Sequence, residues 1–316
     1  MAIVYDGMGN PIELGGGATS DFSVENYGIF EDNTGVARQA ILTYQGKRLY
    51  PFNYPAQRVD VIKNYGSGVM ITLGDSYTAY MNNLFDTFAQ RHGLVQDNRG
   101  LASSTIAGSE DGITVGYRPF WVRLDEAIAQ YQASGGYTID DTSYTVDDVK
   151  LVTVMGGAND WSTVNSTINR LGDGPNTTNK EQLYGACNYI FAKILSTFPN
   201  ADVVCILQPV NYANALPSDD TSAQNVGFDN LAQVQQMTVE QYGTYLMQRK
   251  ERIVREMAEQ YGIPLCDCCF KWYNPNNEED AINYWQADKL HLTAAGHQAI
   301  IDALENVVNN LPFTRN

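Results

Sequence analysis

Four stretches of this 316-residue chain carry residues suited to acyl transfer. In Gly74-Asp75-Ser76-Tyr77-Thr78 a serine follows the apolar run Gly68–Leu73 and opens an amphipathic segment. A serine at the C-terminal end of a buried strand, with a helix behind it, has an exposed hydroxyl. Its backbone N–H also lies where a helix N-terminus stabilises negative charge, which is how acyl-transfer enzymes present a nucleophile. Asn159, in Met155-Gly156-Gly157-Ala158-Asn159-Asp160-Trp161, follows the apolar Leu151–Val154 and can aim its side-chain NH₂ at a developing oxyanion. In Ala287-Asp288-Lys289-Leu290-His291 the carboxylate can reach the imidazole, fix its tautomer and stabilise the imidazolium, as the orienting acid of a triad does. Asn98-Arg99-Gly100-Leu101-Ala102-Ser103-Ser104-Thr105 offers backbone N–H groups that can complete an oxyanion hole. Each stretch alone has an ordinary alternative: Asp75 and Ser76 as N-caps, Asn159-Asp160 as a turn, His291 as a residue before a helix.

The elements that must position these residues are legible from about residue 68 onward, where apolar runs alternate with amphipathic stretches, the pattern of parallel βαβ units. Strands are expected at Gly68–Leu73, Leu94–Asn98, Val149–Met155, Asp202–Leu207 and Ile263–Asp267. Helices are expected at Thr78–Arg91, Pro119–Gln132, Lys180–Thr197, Met237–Tyr261 and Thr293–Asn310. The polar stretches 162–178 and 211–230 follow strand ends, at the sheet edge where ligands bind. The fold class is α/β, a three-layer α/β/α sandwich on a central parallel sheet, spanning residues 67–316. Residues 1–66 differ. Asp6-Gly7-Met8-Gly9-Asn10 is a turn signal between short apolar runs, Gly15-Gly16-Gly17 reads as a joint, and Ile41–Tyr44 with Lys47–Tyr50 forms a second hairpin. A small β-hairpin-rich N-terminal appendage is expected there.

Taken in order, the four stretches resemble blocks I, II, III and V of the SGNH (GDSL-type) hydrolase superfamily, over about residues 68–312. The resemblance implies a flavodoxin-like fold and hydrolysis of carboxylic esters through an acyl-enzyme, with no metal or organic cofactor. It makes Ser76 the nucleophile, His291 the base and Asp288 its orienting acid. Asn159 and the Ser76 N–H become oxyanion donors. One departure stands out: Ser103 occupies the position where the family's second block has glycine. A backbone N–H survives that exchange, but glycine serves there for positive φ or for close substrate approach. In a different register Gly100 supplies the amide instead. No Gly-x-Ser-x-Gly elbow is present, which argues against the α/β-hydrolase alternative. His92 and His297 read as structural.

Composition limits the partners. Lys and Arg number 20 against 36 Asp and Glu, a net charge of −16, which repels phosphate backbones and anionic lipid and disfavours nucleic acid. No apolar run is long enough to cross a bilayer. The start, Met1-Ala2-Ile3-Val4-Tyr5-Asp6, has neither a basic n-region nor an apolar h-region, so synthesis in the cytoplasm is expected. Cys187, Cys205, Cys266, Cys268 and Cys269 read as reduced core thiols rather than a zinc site. Trp161, Trp272 and Trp285 cluster near the blocks, and sugar rings stack on such surfaces. An acylated glycan is therefore the expected ester substrate, with a short-chain lipid or aryl ester as the competitor. Met1–Ile12 looks similar to the starts of phage and prophage structural proteins. Gly46–Pro51 followed by Ala56–Val59 resembles segments of tail-fibre and baseplate proteins. That second resemblance implies a virion component, or homo-oligomer, assembled through residues 1–66, with a catalytically silent glycan-binding protein as its limiting case.

Overall fold

In the computed structural model of the chain, the described residues are 62–110, 118–160, 171–172, 174–208, 250–267, 284–286 and 291–311, together with the backbone of residues 239–249 and of seven short strands between 3 and 49. Contacts divide the chain into two units, Met1–Val61 and Ile62–Asn316.

The first unit contains antiparallel pairs. Strands β1 (Ile3–Tyr5) and β2 (Pro11–Glu13) pair as a hairpin. So do β4 (Ile29–Asp32) and β5 (Gly35–Arg38), a hairpin the sequence reading did not anticipate. Strand β6 (Ile41–Tyr44) lies between β7 (Lys47–Leu49) and β3 (Phe22–Glu25). The expected glycine joint, Gly15–Gly17, lies outside the described residues.

The second unit begins earlier than the expected boundary at 66. Lys63 and Tyr65 both donate to the Asp202 carboxylate, and the Lys63 N–H donates to Asn309 Oδ1 at 2.9 Å. This unit is built on five parallel strands: β8 (Val69–Gly74), β9 (Val95–Gly100), β12 (Val149–Gly156), β13 (Asp202–Leu207) and β14 (Leu265–Asp267). Their order across the sheet is β14-β13-β12-β8-β9, the flavodoxin-like order. From β8 the chain goes one way to β9 and then the other way to β12, so the switch point lies between β8 and β12. A separate hairpin, β10 (Tyr137–Ile139) with β11 (Thr142–Tyr144), turns through Asp140 and Asp141, both at positive φ (47° and 63°). This is the primed turn geometry that aspartate tolerates.

Strand side chains alternate between two cores, as period two requires when both faces are covered. Val69, Ile71 and Leu73 of β8 join Val152, Val154, Cys205 and Leu207 against α3 (Phe120–Gln132), α4 (Leu183–Thr197) and α5 (Val239–Gln260). Met70, Leu151, Met155, Val204 and Ile206 face the other way. They pack against α1 (Ser76–Tyr80), α2 (Asn82–Arg91) and α6 (Ala294–Asn310). Cys187, Cys205 and Cys266 are buried free thiols in these layers; Cys268 and Cys269 lie outside the described residues. Among the described residues no helix is long and apolar enough to cross a membrane.

The sequence pattern predicts one helix over Thr78–Arg91, but two are present. The break falls at fully buried Met81 (φ −85°, ψ 10°). Asn82 and Asn83 follow it, residues whose side chains compete with helical hydrogen bonding; Asn82 accepts from Asn98 Nδ2 instead. The break lets the short helix carrying Ser76 take its own angle. That helix presses on β9 so closely that a Cβ at Gly100 would lie 2.4 Å from the Ala79 nitrogen and 2.8 Å from its Cα. Backbone cannot yield as a side-chain tip can. Gly100→Ala is therefore expected to destabilise the protein by about 2 kcal/mol, a fall in Tm on the order of 5 °C in thermal denaturation.

Candidate active site

The C-terminal ends of β9, β8, β12 and β13 lie level. Gly100 pairs with Gly74, Gly74 with Met155, and Gly156 with Leu207. Ser76, Ser103 and Asn159, which follow β8, β9 and β12, therefore leave the sheet together at the switch point. Ser76 is the first residue of α1, two positions past β8, and is buried to 8% exposure. Asp75 is the N-cap, accepting the Tyr77 N–H at 3.0 Å. The end of β8 is held from two sides: Arg123 Nη1 and the Leu101 N–H both donate to the Gly74 carbonyl.

Asn159 lies past β12. Its Nδ2 donates to the Ser104 carbonyl at 3.1 Å, which ties the second and third blocks together. Next to it, buried Asp160 accepts from the N–H groups of Ile106 (3.0 Å) and Ala107 (2.8 Å). Between them these two side chains fix the loop that carries Ser103. Ser103 itself has φ +62°, the left-handed region that glycine enters freely and that costs an ordinary residue about 1–2 kcal/mol. Positive φ is thus a property of this position, and it is retained with serine. The alternative Gly100 amide is already engaged, donating to Asn98 Oδ1 at 2.6 Å. With its close approach to Ala79, Gly100 has a packing role.

His291 lies beside the helix of Ser76. Its ring centroid is 6.2 Å from that of Tyr77 and 5.1 Å from that of Tyr80. The Gln286 N–H donates to the His291 carbonyl (2.8 Å), and the Thr293 N–H to that of Tyr284 (2.9 Å). These bonds pair the residues on either side of 287–290; that segment, which includes Asp288, lies outside the described residues, as do Trp161 and Trp272. Trp285 corrects the expectation of a substrate-lining ring. It is 8% exposed, packs in the core and bridges to Leu292. Among the described residues, the aromatic that faces solvent beside His291 is Tyr80, 56% exposed. Its place four residues after Ser76, hence on the same helical face, was a readable signal. His92 is structural as read, fully buried with Nδ1 2.6 Å from the Lys63 carbonyl.

Sequence reasoning missed two polar side chains beneath the site. Gln208, one residue past β13, accepts the Ala158 N–H at 2.7 Å and donates to both Asp75 oxygens. Lys250 on α5 is 3% exposed, with Nζ 3.4 Å from the Ala158 carbonyl. Neither has a local pattern: a lone glutamine after a strand and a lysine in a charged helix look like surface residues.

Burial dominates the electrostatics of this cluster. It pushes the Asp75 carboxyl up to about 7, with help from nearby Asp160, although Gln208 and the Tyr77 N–H favour the ionised form. It pulls the Lys250 amine down to about 7 against the attraction of Asp160 and Asp75.

A flavodoxin-like sheet whose switch point gathers these blocks defines an ester hydrolase of the SGNH type. Residues 72–299 match the GDSL-like Lipase/Acylhydrolase family, and the chain belongs to it. No curated protein matches the sequence. Among solved structures, a protein from Lactobacillus plantarum has a TM-score of 0.53 at 20% identity, over 78% of this chain and 98% of that one, a likeness of fold. Also similar are a lipase/acylhydrolase from Enterococcus faecalis (TM-score 0.44, 14% identity, 77% and 95% covered) and a variant of an acetyl xylan esterase from Geobacillus stearothermophilus (TM-score 0.44, 16% identity, 80% and 100% covered).

The two buried ionisable groups act on stability in opposite senses. The Asp75 contribution is complete below the ordinary carboxylate range and is lost as pH rises through about 7. The Lys250 contribution is complete above the ordinary amine range and is lost as pH falls through about 7. In urea unfolding, the stability of Lys250→Met relative to wild type is expected to fall as pH rises from about 7 to about 10. A flat difference would show that Lys250 titrates as a surface lysine does.

Proposed function

We propose that this enzyme hydrolyses carboxylic esters by a ping-pong route through an acyl-Ser76 intermediate. The observation that carries the reading is the placing of Ser76 at the N-terminus of α1, at the switch point, with the His291 ring against Tyr77 and Tyr80 of the same helix. His291 takes the Ser76 hydroxyl proton as Oγ attacks the ester carbonyl carbon. Asp288 holds the imidazole in the required tautomer. The oxyanion accepts hydrogen bonds from the Ser76 N–H, the Ser103 N–H and the Asn159 side chain. As the tetrahedral species collapses, the C–O bond to the alcohol breaks and His291 returns the proton to the departing oxygen. Water then attacks the acyl-enzyme by the same path in reverse, releasing the acid.

For the substrate we favour acetyl or another small acyl group on a glycan. The support is Tyr80, whose exposed ring beside His291 offers a face on which a sugar can stack. Release of acetate from an acetylated oligosaccharide, compared with hydrolysis of a p-nitrophenyl ester of a longer acid, separates this reading from a short-chain lipid or aryl esterase.

With p-nitrophenyl acetate, Ser76→Ala is expected to lower kcat about a thousandfold or more while leaving Tm unchanged. Ser103→Gly, assayed alongside, is expected to keep turnover, because glycine adopts the same φ without strain. Undiminished turnover in Ser76→Ala would remove the serine mechanism. No turnover by folded wild-type protein would move the reading to a silent glycan-binding protein.

A second reading concerns the N-terminal residues. The paired strands of Met1–Val61 form their own contact unit, which supports a role in assembling copies of the chain, as in a virion. Light scattering on the full chain is expected to give at least twice the 35.0 kDa of one chain; a monomer would argue against self-assembly.

A further inference from the structure

Resting on that esterase reading, we propose that Gln208 is a positioning residue for ester hydrolysis: its one side-chain amide sets the spacing between the nucleophile helix and the oxyanion loop. The four blocks do not include it. Gln208 follows β13, which neighbours β12 and β14 but not β8. To reach Asp75 its side chain passes across the end of β12, binding both structures on the way. Its Oε1 accepts the Ala158 N–H at 2.7 Å, and its Nε2 donates to the Asp75 oxygens at 3.1 and 2.9 Å. Those partners adjoin the two groups whose separation matters most. Asp75 precedes Ser76 and caps its helix; Ala158 precedes Asn159.

The chemistry of the partners fixes the orientation of the amide. Only an oxygen can receive the Ala158 N–H, and only the NH₂ can donate to a carboxylate, so the group cannot flip without losing both interactions. A planar amide with donor and acceptor at opposite corners acts as a rigid spacer. Its surroundings hold it still: Gln208 is 7% and Asp75 0% exposed. The Ala158 carbonyl, in the next peptide group, accepts from Lys250 Nζ at 3.4 Å. Residue 158 is thus held through both its N–H and its C=O, in two successive peptide groups, and the Asn159 side chain leaves the backbone at a set angle to Ser76. Oxyanion stabilisation depends on donors already aimed where charge develops.

The test uses the full chain and p-nitrophenyl acetate, with folding checked by circular dichroism. Gln208→Met preserves length and burial but removes both hydrogen bonds. It is expected to lower kcat roughly 30- to 100-fold, the cost of a donor misplaced by about an ångström, with KM within about twofold of wild type. Gln208→Glu retains the acceptor for Ala158 but can bind Asp75 only through a shared proton. Its kcat relative to wild type is therefore expected to rise as pH falls. The charged groups around that proton are Asp160 beyond β12, Lys250 on α5 and Arg123 on α3. If Gln208→Met does not fold, the pH dependence of the Gln208→Glu ratio decides.

Wild-type kcat in folded Gln208→Met, or a pH-independent ratio in Gln208→Glu, overturns the positioning role and leaves the esterase reading intact. Absence of Ser76-dependent turnover in the wild type overturns the esterase reading, and this inference falls with it.

Discussion

At the C-terminal edge of a parallel sheet the ladder ends, and backbone groups there need new partners in a place water barely reaches. Leaving one such group buried and unpaired costs about 1–3 kcal/mol. This constraint organises the whole site. The Gly74 carbonyl takes Arg123 and the Leu101 N–H. The N–H groups of Ile106 and Ala107 go to Asp160, and that of Ala158 goes to Gln208. The side chains that satisfy the backbone also set the relative positions of the Ser76 helix, the Ser103 loop and the Asn159 loop. Satisfying the edge and aligning the chemistry are one arrangement.

The arrangement has a cost. Asp75 and Lys250 are ionisable groups in a setting where burial disfavours both charges, and such groups persist when breaking the network would cost more than keeping it. Ser103 adds backbone strain at φ +62°. Strain of this kind survives where surrounding structure over-determines it, and the Asn159 and Asp160 hydrogen bonds to the adjoining loop residues supply that determination. The two apolar layers carry the bulk of the folding free energy. The polar edge uses part of it to hold the Ser76 helix and the Ser103 and Asn159 loops in place.

Much of the frame was legible because its signals are local. A parallel sheet buried on both faces requires continuous apolar runs, and the stretch around Ile71, that around Val152 and Asp202–Leu207 show them. The places of Ser76, Asn159 and His291 at the ends of elements were legible for a related reason: each lies within three residues of a strand end or a helix start, where neighbouring residues announce the boundary. The break at Met81 was not legible, since an apolar residue followed by two asparagines fits a continuous helix nearly as well. Burial of Trp285 was missed because an aromatic in a polar loop looks alike whether its ring faces the core or solvent.

By itself the sequence determined the order of the parallel strands and the long helices between them, the two-faced core and the family to which the chain belongs, because periodicity and block spacing are written along the chain. Only the tertiary structure decided that position 103 adopts positive φ, that Gly100 is a packing glycine, that Tyr80 is a ring exposed beside His291, and that Gln208 and Lys250 lie under the site. Gln208 is 133 residues from Asp75 in sequence. Folding brings them into contact because β12, between β8 and β13, aligns their ends in one register. A hydrogen bond that depends on register across three strands leaves no trace in either residue's neighbours.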